Sequence, residues 1–275
     1  MRLVQIAGGA AAVPLARLGV DEELAGEVQA QLAAAGLLDP PADRLFGPVS
    51  HWALSEFLVF WGLAGARSLD MQVASALLQA DAAFPLVPGD DLAGDVVRAL
   101  QAAGHWVCRH PRALNIVYVE DMGLDGAPSR DPEFSDARLL LRIEDHGRPQ
   151  VVGAWDGSTG AGGTGDVRIA CGQYKAWSVG LHRDDAPYEA LVQTGRVEAV
   201  AGRGVPVCGL LGLDQHCGED FARGGPGRSC AGGMVGRSKS GHREFMAMVR
   251  SDPRYLASKG YRFLSTVLPL DAVFG

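Results

Sequence analysis

The sequence predicts an α+β protein, a helical N-terminal module followed by a β-rich C-terminal domain. Three observations carry this. Apolar residues recur at helical spacing through residues 1–104; beyond Gly104 they form short β-prone runs; and 21 of the 37 glycines fall in residues 151–241, which predicts turns and backbone-exposing loops there. At 275 residues, with 47% hydrophobic and 21% charged side chains, the chain can bury its own cores and falls outside the disordered class.

The first helix is read from Asp21 to Gly36, where Leu24, Val28, Leu32 and Ala35 share one face, acidic residues occupy the first turn and a glycine stops the run. After Asp39-Pro40-Pro41 and Phe46-Gly47-Pro48, Ser50 is the expected N-cap of a helix whose apolar face is Ala53, Leu54, Phe57, Leu58 and Trp61, ended by Gly62. A third helix is expected from Ser68 to about Ala80, a linker at Pro85–Pro88 and a fourth helix from Asp91 to Gly104, so residues 1–104 read as wholly helical. Strands are then expected at Ile116–Val119, Leu139–Ile143, Val151–Trp155, Ala176–Leu181, Ala190–Val200, Val207–Leu213 and Arg262–Leu268. Asp145–Arg148 reads as a hairpin connection and Ser240 to about Ser251 as a helix with Phe245, Met248 and Val249 turned inward. The expected division is a module over residues 1–66, a helical connector over 67–104 and a β-rich domain over 105–275.

The net charge of −7 is uneven: residues 1–100 hold five basic and twelve acidic side chains, whereas residues 221–262 hold nine basic and two acidic. The acidic balance argues against a nucleic-acid partner, and the basic segment suits a carboxylate-bearing ligand or a solvated face. The uncharged stretch between Arg2 and Arg17 is too short to span a bilayer and is broken by Gln5, Gly8, Gly9 and Pro14, so no stable membrane insertion is expected. Five cysteines with no CxxC pair imply neither a disulfide framework nor a common zinc module. His216, Cys217, Cys230 and Cys208 match no familiar zinc spacing, and Gly157–Gly165 has no nucleotide-loop pattern, so neither metal nor cofactor is expected.

Two stretches carry resemblances. Asp43-Arg44-Leu45-Phe46-Gly47-Pro48-Val49-Ser50, followed by Ala53-Leu54, Phe57 and Gly62-Leu63, resembles the second half of the small helical peptidoglycan-binding domain that accompanies many cell-wall enzymes, with Arg44 where that pattern has a glycine. The order His216, a Gly-rich stretch, Cys230-Ala231-Gly232-Gly233 and Arg237 is similar to the active-site arrangement of L,D-transpeptidases. Asn115–Glu120, Gly172–Trp177 and Cys230–Arg237 also resemble blocks of an uncharacterised domain found after this binding module in bacterial and phage proteins. The resemblances imply peptidoglycan, both glycan and stem peptide, as partner. They place the protein in the cell envelope or periplasm, or in the cytoplasm with phage-type release. Phe46 and Asp43 would contribute to glycan binding, although Phe46 plugging a small core and Gly47-Pro48 fixing the helix start are equally structural readings.

The implied chemistry is that of a cysteine-type L,D-transpeptidase or carboxypeptidase acting on stem peptides. A thiolate attacks an amide, an imidazole takes and returns the proton, backbone N–H groups of a tight loop receive the oxyanion, and a basic side chain holds a stem carboxylate. His216 fits the base, Gly232-Gly233 the loop and Arg237 the clamp. The nucleophile departs from the pattern, because Gly233 stands at the expected thiol position and Cys230 three residues earlier. Three residues of extended chain span up to roughly 10 Å, well beyond the tolerance of nucleophile placement. Either Cys230 or Cys217 has taken over, or the domain is a non-catalytic murein-binding protein with a degenerate site.

Overall fold

The computed structural model describes residues 2–80, 84–131, 133–160, 167–182, 187–202, 204–217 and 233–275. The chain is α+β, and it forms two compact units: 1–87 with 106–113 and 143–148, and 88–105 with 114–142 and 149–275. Among the described residues no helix is long and apolar enough to cross a membrane.

The first unit holds α1 (Leu3–Ala7), β1 (Val13–Pro14), a 3-10 helix (Leu15–Val20), α2 (Glu22–Ala34), α3 (Pro48–Phe60), β2 (Ser68–Leu69) and α4 (Met71–Leu77). Asp21 caps α2 by accepting the Leu24 N–H at 3.1 Å, and Glu22 and Glu23 place negative charge at its positive end. Two helix starts differ from the sequence reading. Helix α3 begins at Pro48, whose fixed φ suits the first helical position, so Ser50 lies inside the helix and its hydroxyl accepts from Gln29 Nε2 at 3.0 Å. Helix α4 begins at Met71 with Asp70 as its cap, because Ser68 and Leu69 pair antiparallel with Pro14 and Val13. That short ladder is also the exception to a wholly helical N-terminal stretch. Leu24, Val28 and Leu32 of α2 meet Leu54 and Phe57 of α3 in a core that also takes in Leu3, Ile6, Leu18, Leu69, Val73 and Leu77. Residues 106–113 return to this unit, where Trp106 Nε1 donates to the Ala33 carbonyl at 2.8 Å and the Arg109 N–H to that of Gly36 at 2.8 Å.

The second unit begins with α5 (Leu92–Ala102) and is built on an eight-stranded closed barrel. The barrel strands are β3 (Asn115–Glu120), β4 (Asp136–Ile143), β5 (Pro149–Ser158), β7 (Gly172–His182), β8 (Tyr188–Gln193), β11 (Gln215–Cys217), β12 (Met234–Gly236) and β13 (Phe263–Pro269). Their order is β11-β12-β5-β4-β3-β13-β7-β8, with β11 and β12 parallel, β13 and β3 parallel, and the other recorded pairs antiparallel. Closure removes the free edges that an open sheet of such β-prone strands would present. A side sheet of order β10-β9-β6 joins β6 (Val167–Ile169), β9 (Val197–Ala201) and β10 (Val205–Gly209). The run read as one strand over 190–200 is therefore two, split where the N–H groups of Thr194 and Gly195 both donate to the Ala176 carbonyl.

Three helices complete the unit: α6 (Lys239–Arg250), α7 (Pro253–Ala257) and α8 (Leu270–Phe274). Buried Arg254 and Asp252 fix the approach to β3, since Asp252 Oδ2 accepts from the Leu114 N–H at 2.9 Å and from Arg254 Nη2 at 2.7 Å, while that Nη2 also donates to the Leu114 carbonyl at 2.6 Å. Arg138 of β4 is fully buried, its guanidinium 4.2 Å from the Phe245 ring centroid and 5.4 Å from that of Trp155. It lies against Gly236, where an added Cβ would stand 2.6 Å from Nη2, so glycine there is a requirement of space.

Candidate functional site

His216 is the centre of the site that the structure assembles. Its backbone is set by β11, paired in parallel with β12, and the Met234 N–H donates to the Asp214 carbonyl at 2.9 Å. These two pairings bring Gly233 to the imidazole. A Cβ built on Gly233 would stand 2.9 Å from His216 Nε2 and 2.9 Å from the Asp214 carbonyl oxygen, and Gly233 has φ +134°. A side chain at this position would be strained by its backbone conformation and crowded by two polar atoms at once.

His216 Nδ1 lies 2.9 Å from the Cys217 carbonyl oxygen, which only accepts, so Nδ1 carries a proton, and Nε2 is the ring nitrogen nearest Gly233. Tyr188 supports the arrangement by donating its hydroxyl to the same carbonyl at 3.1 Å, 3.4 Å from Nδ1. His182, at the end of β7, stacks on His216 with ring centroids 4.2 Å apart and 12° between planes. Its Nδ1 is 2.8 Å from Asp214 Oδ2, and Asp214 Oδ1 accepts from the Gln193 N–H at 2.8 Å. Asp214, His182, His216 and Tyr188 thus form one connected cluster, with His216 buried and the other three partly buried. It positions an imidazole toward position 233, where the residue itself is a glycine.

The remaining sequence-derived candidates fall in different places. Cys217 is buried and adjacent to His216 on an extended strand, where successive side chains point to opposite faces, so the pair does not present thiol to imidazole. Cys230 and Gly232 lie outside the described residues. Arg237 is engaged by the chain's own carboxylates: it pairs with Asp131 through Nη2 and with Asp156 Oδ2 through Nε at 3.1 Å, and its guanidinium stands 4.7 Å from the Phe134 ring centroid. Although partial burial works the other way, hydrogen bonds from the Phe134 and Glu133 N–H groups and the Arg237 guanidinium hold Asp131 down to about 2. A ligand carboxylate at Arg237 would have to displace one of these partners.

In the first unit, Asp43 builds a turn. Its Oδ1 accepts from Gln29 Nε2 at 2.7 Å and from the Leu45 N–H at 2.9 Å, while the Arg44 N–H donates to Gln29 Oε1 at 2.8 Å. Arg44 has φ +65°, a conformation that glycine adopts at least cost. Phe46 is buried with its ring edge-on to His51 at 4.9 Å.

Asp214 and Tyr188 carry no motif that marks them out in the sequence, and His182 beside Arg183-Asp184-Asp185 reads there as a turn. The spacing Asp214-x-His216 on a short strand was the available signal, since residues two apart share a face. Only the length of β7 places His182 in the sheet. Among the described residues no group of three or more His, Cys, Asp or Glu is placed to hold a metal ion. Comparison with known proteins finds no matching protein-family model, curated protein or solved structure.

Proposed function

We propose that this protein binds peptidoglycan and that its C-terminal barrel is a transpeptidase-like stem-peptide site that binds without acyl transfer. One observation carries the reading. His216 Nε2 lies beside Gly233, at the position where the resembling pattern has its thiol, and the φ of +134° with a 2.9 Å approach to an added Cβ disfavours a side chain there. Residue 233, a glycine, itself brings no nucleophile to His216, which favours retained binding over retained chemistry. In the first unit, the turn from Asp43 to Phe46, its positive φ at residue 44 and the packing of α2 on α3 agree with the binding-module resemblance.

The test uses the full chain. It is expected to sediment with purified peptidoglycan sacculi and, after incubation with tetrapeptide-bearing muropeptides, to show no mass increase and to release no terminal amino acid. Failure to sediment above an unrelated protein overturns the peptidoglycan assignment. A covalent adduct that disappears in Cys230→Ala or Cys217→Ala replaces the binding reading with a cysteine transpeptidase or carboxypeptidase.

A further inference from the structure

One side of α6 faces a cavity of about 450 Å³, within the usual span of small-ligand sites. Two rows of the helix line it. His242 and Met246, one turn apart, are buried and share its inner wall with the buried Cys217. Arg243 and Ala247, also one turn apart, are exposed and stand where it opens to solvent. His242 adds no charge to the inner wall at neutral pH: burial pushes its imidazole down to about 4, against the hydrogen bond that Nε2 donates to the Glu189 carbonyl at 2.9 Å. The rim is different. Glu189, the acid of the lining, is held by Arg250 at 2.6 Å, and Lys239 is engaged as well. Arg243 is the lining cation that has no ion pair or hydrogen bond among the described residues.

Two properties select the ligand. An inner wall formed by Met246, Cys217 and a neutral imidazole favours a hydrocarbon group, since a polar group buried there without a partner is penalised. An unpaired guanidinium at the rim favours a carboxylate, whose two oxygens its fork can meet with parallel hydrogen bonds. One negative charge completes this rim. A second anionic group would have to break the Arg250–Glu189 pair or compete for Lys239.

We propose that this cavity binds a monomeric aliphatic carboxylate of medium chain length, with its tail against Met246 and its head on Arg243. The inference stands apart from the peptidoglycan reading, which draws on neither residue.

The experiment is a calorimetric titration of the full chain at neutral pH with octanoate, octan-1-ol and butanoate, each kept below the concentration at which it aggregates. Octanoate is expected to bind saturably, one molecule per chain. Octan-1-ol keeps the tail without the charge, and butanoate keeps the charge on a shorter tail; each is expected to bind roughly tenfold or more weakly. Arg243→Gln is expected to weaken octanoate about tenfold, with Arg243→Lys restoring part of the loss. Ala247→Glu places a carboxylate one helical turn from Arg243, where it competes for the guanidinium, and is expected to weaken octanoate as well. Both positions are exposed, and melting midpoints equal to the parent's certify the folds. Should a midpoint fall, the ligand series on the parent decides the proposal without that variant. No saturable octanoate binding, octan-1-ol binding as tightly as octanoate, or a folded Arg243→Gln binding octanoate as tightly as the parent overturns the proposal. Equal binding of butanoate and octanoate also overturns it and makes the rim a simple anion site. Sedimentation with phosphatidylglycerol vesicles that is lost in Arg243→Gln, without octanoate binding, overturns it in favour of a membrane surface. The sacculus assay bears on the peptidoglycan assignment alone, so the two readings fail separately.

Discussion

At Gly233 the close approach of His216 Nε2 and the Asp214 carbonyl, both 2.9 Å from an added Cβ, couples stability to chemistry. Gly233→Cys is expected to cost more than about 1 kcal/mol through backbone strain and crowding, read as a lowered melting midpoint, with Gly233→Ala costing a similar amount. If the variant folds, its thiol stands beside an imidazole and should label faster at neutral pH than the thiols of the parent. His242 gives a second residue-scale prediction. Its folded value of about 4 lies below the ordinary 6.5, so between these values the unfolded chain binds the extra proton and stability falls as the pH falls. At pH 5 the loss relative to neutral pH is about 2 kcal/mol. His242→Gln keeps a donor for the Glu189 carbonyl and should flatten the melting midpoint between pH 7 and pH 5.

At the scale of elements, the unit holds a buried polar pin beside its apolar strands. The Asp252–Arg254 pair is fully buried and holds both backbone groups of Leu114. Arg254→Met would leave the Asp252 carboxylate buried without its cation, an uncompensated charge that typically costs about 3–5 kcal/mol. The variant is expected to melt well below the parent, and Asp252→Asn combined with Arg254→Met should recover part of the loss. By contrast, Arg250→Ala removes an exposed pair with Glu189 and should change stability by less than about 1 kcal/mol.

At the scale of the molecule, the helical unit is not a contiguous piece of chain. The core that α2 and α3 share includes Leu3, Ile6 and Leu18 before them and Leu69, Val73 and Leu77 after them. Residues 20–66 expressed alone would expose those contacts, and circular dichroism is expected to show markedly less helix per residue than the full chain contains. Fusing residues 2–80 should restore most of it, because the fragment then contains the β1–β2 pairing and α4.

Much of the local structure was legible in the residues. The helical period from Leu24 to Leu32, the helix starts at Asp21 and Asp91, the change to strand-like runs after Gly104 and the helix near Ser240 follow from side-chain spacing and backbone preference, which act within a few residues. Arg44, standing where the resembling pattern has a glycine, spoke against a tight turn in the sequence, yet the structure holds it at a positive φ. The short strands β11 and β12 carry too few residues for a period to register, and barrel closure joins segments far apart in sequence. His216 and Gly233 were singled out in the sequence only by the resemblance, which implies a thiol at position 233. That His182 stacks on that imidazole, that Asp214 holds His182, and that Asp131 and Asp156 occupy Arg237 were decided by tertiary pairing alone. Those contacts depend on which strands lie side by side, and spacing along a single chain does not encode that.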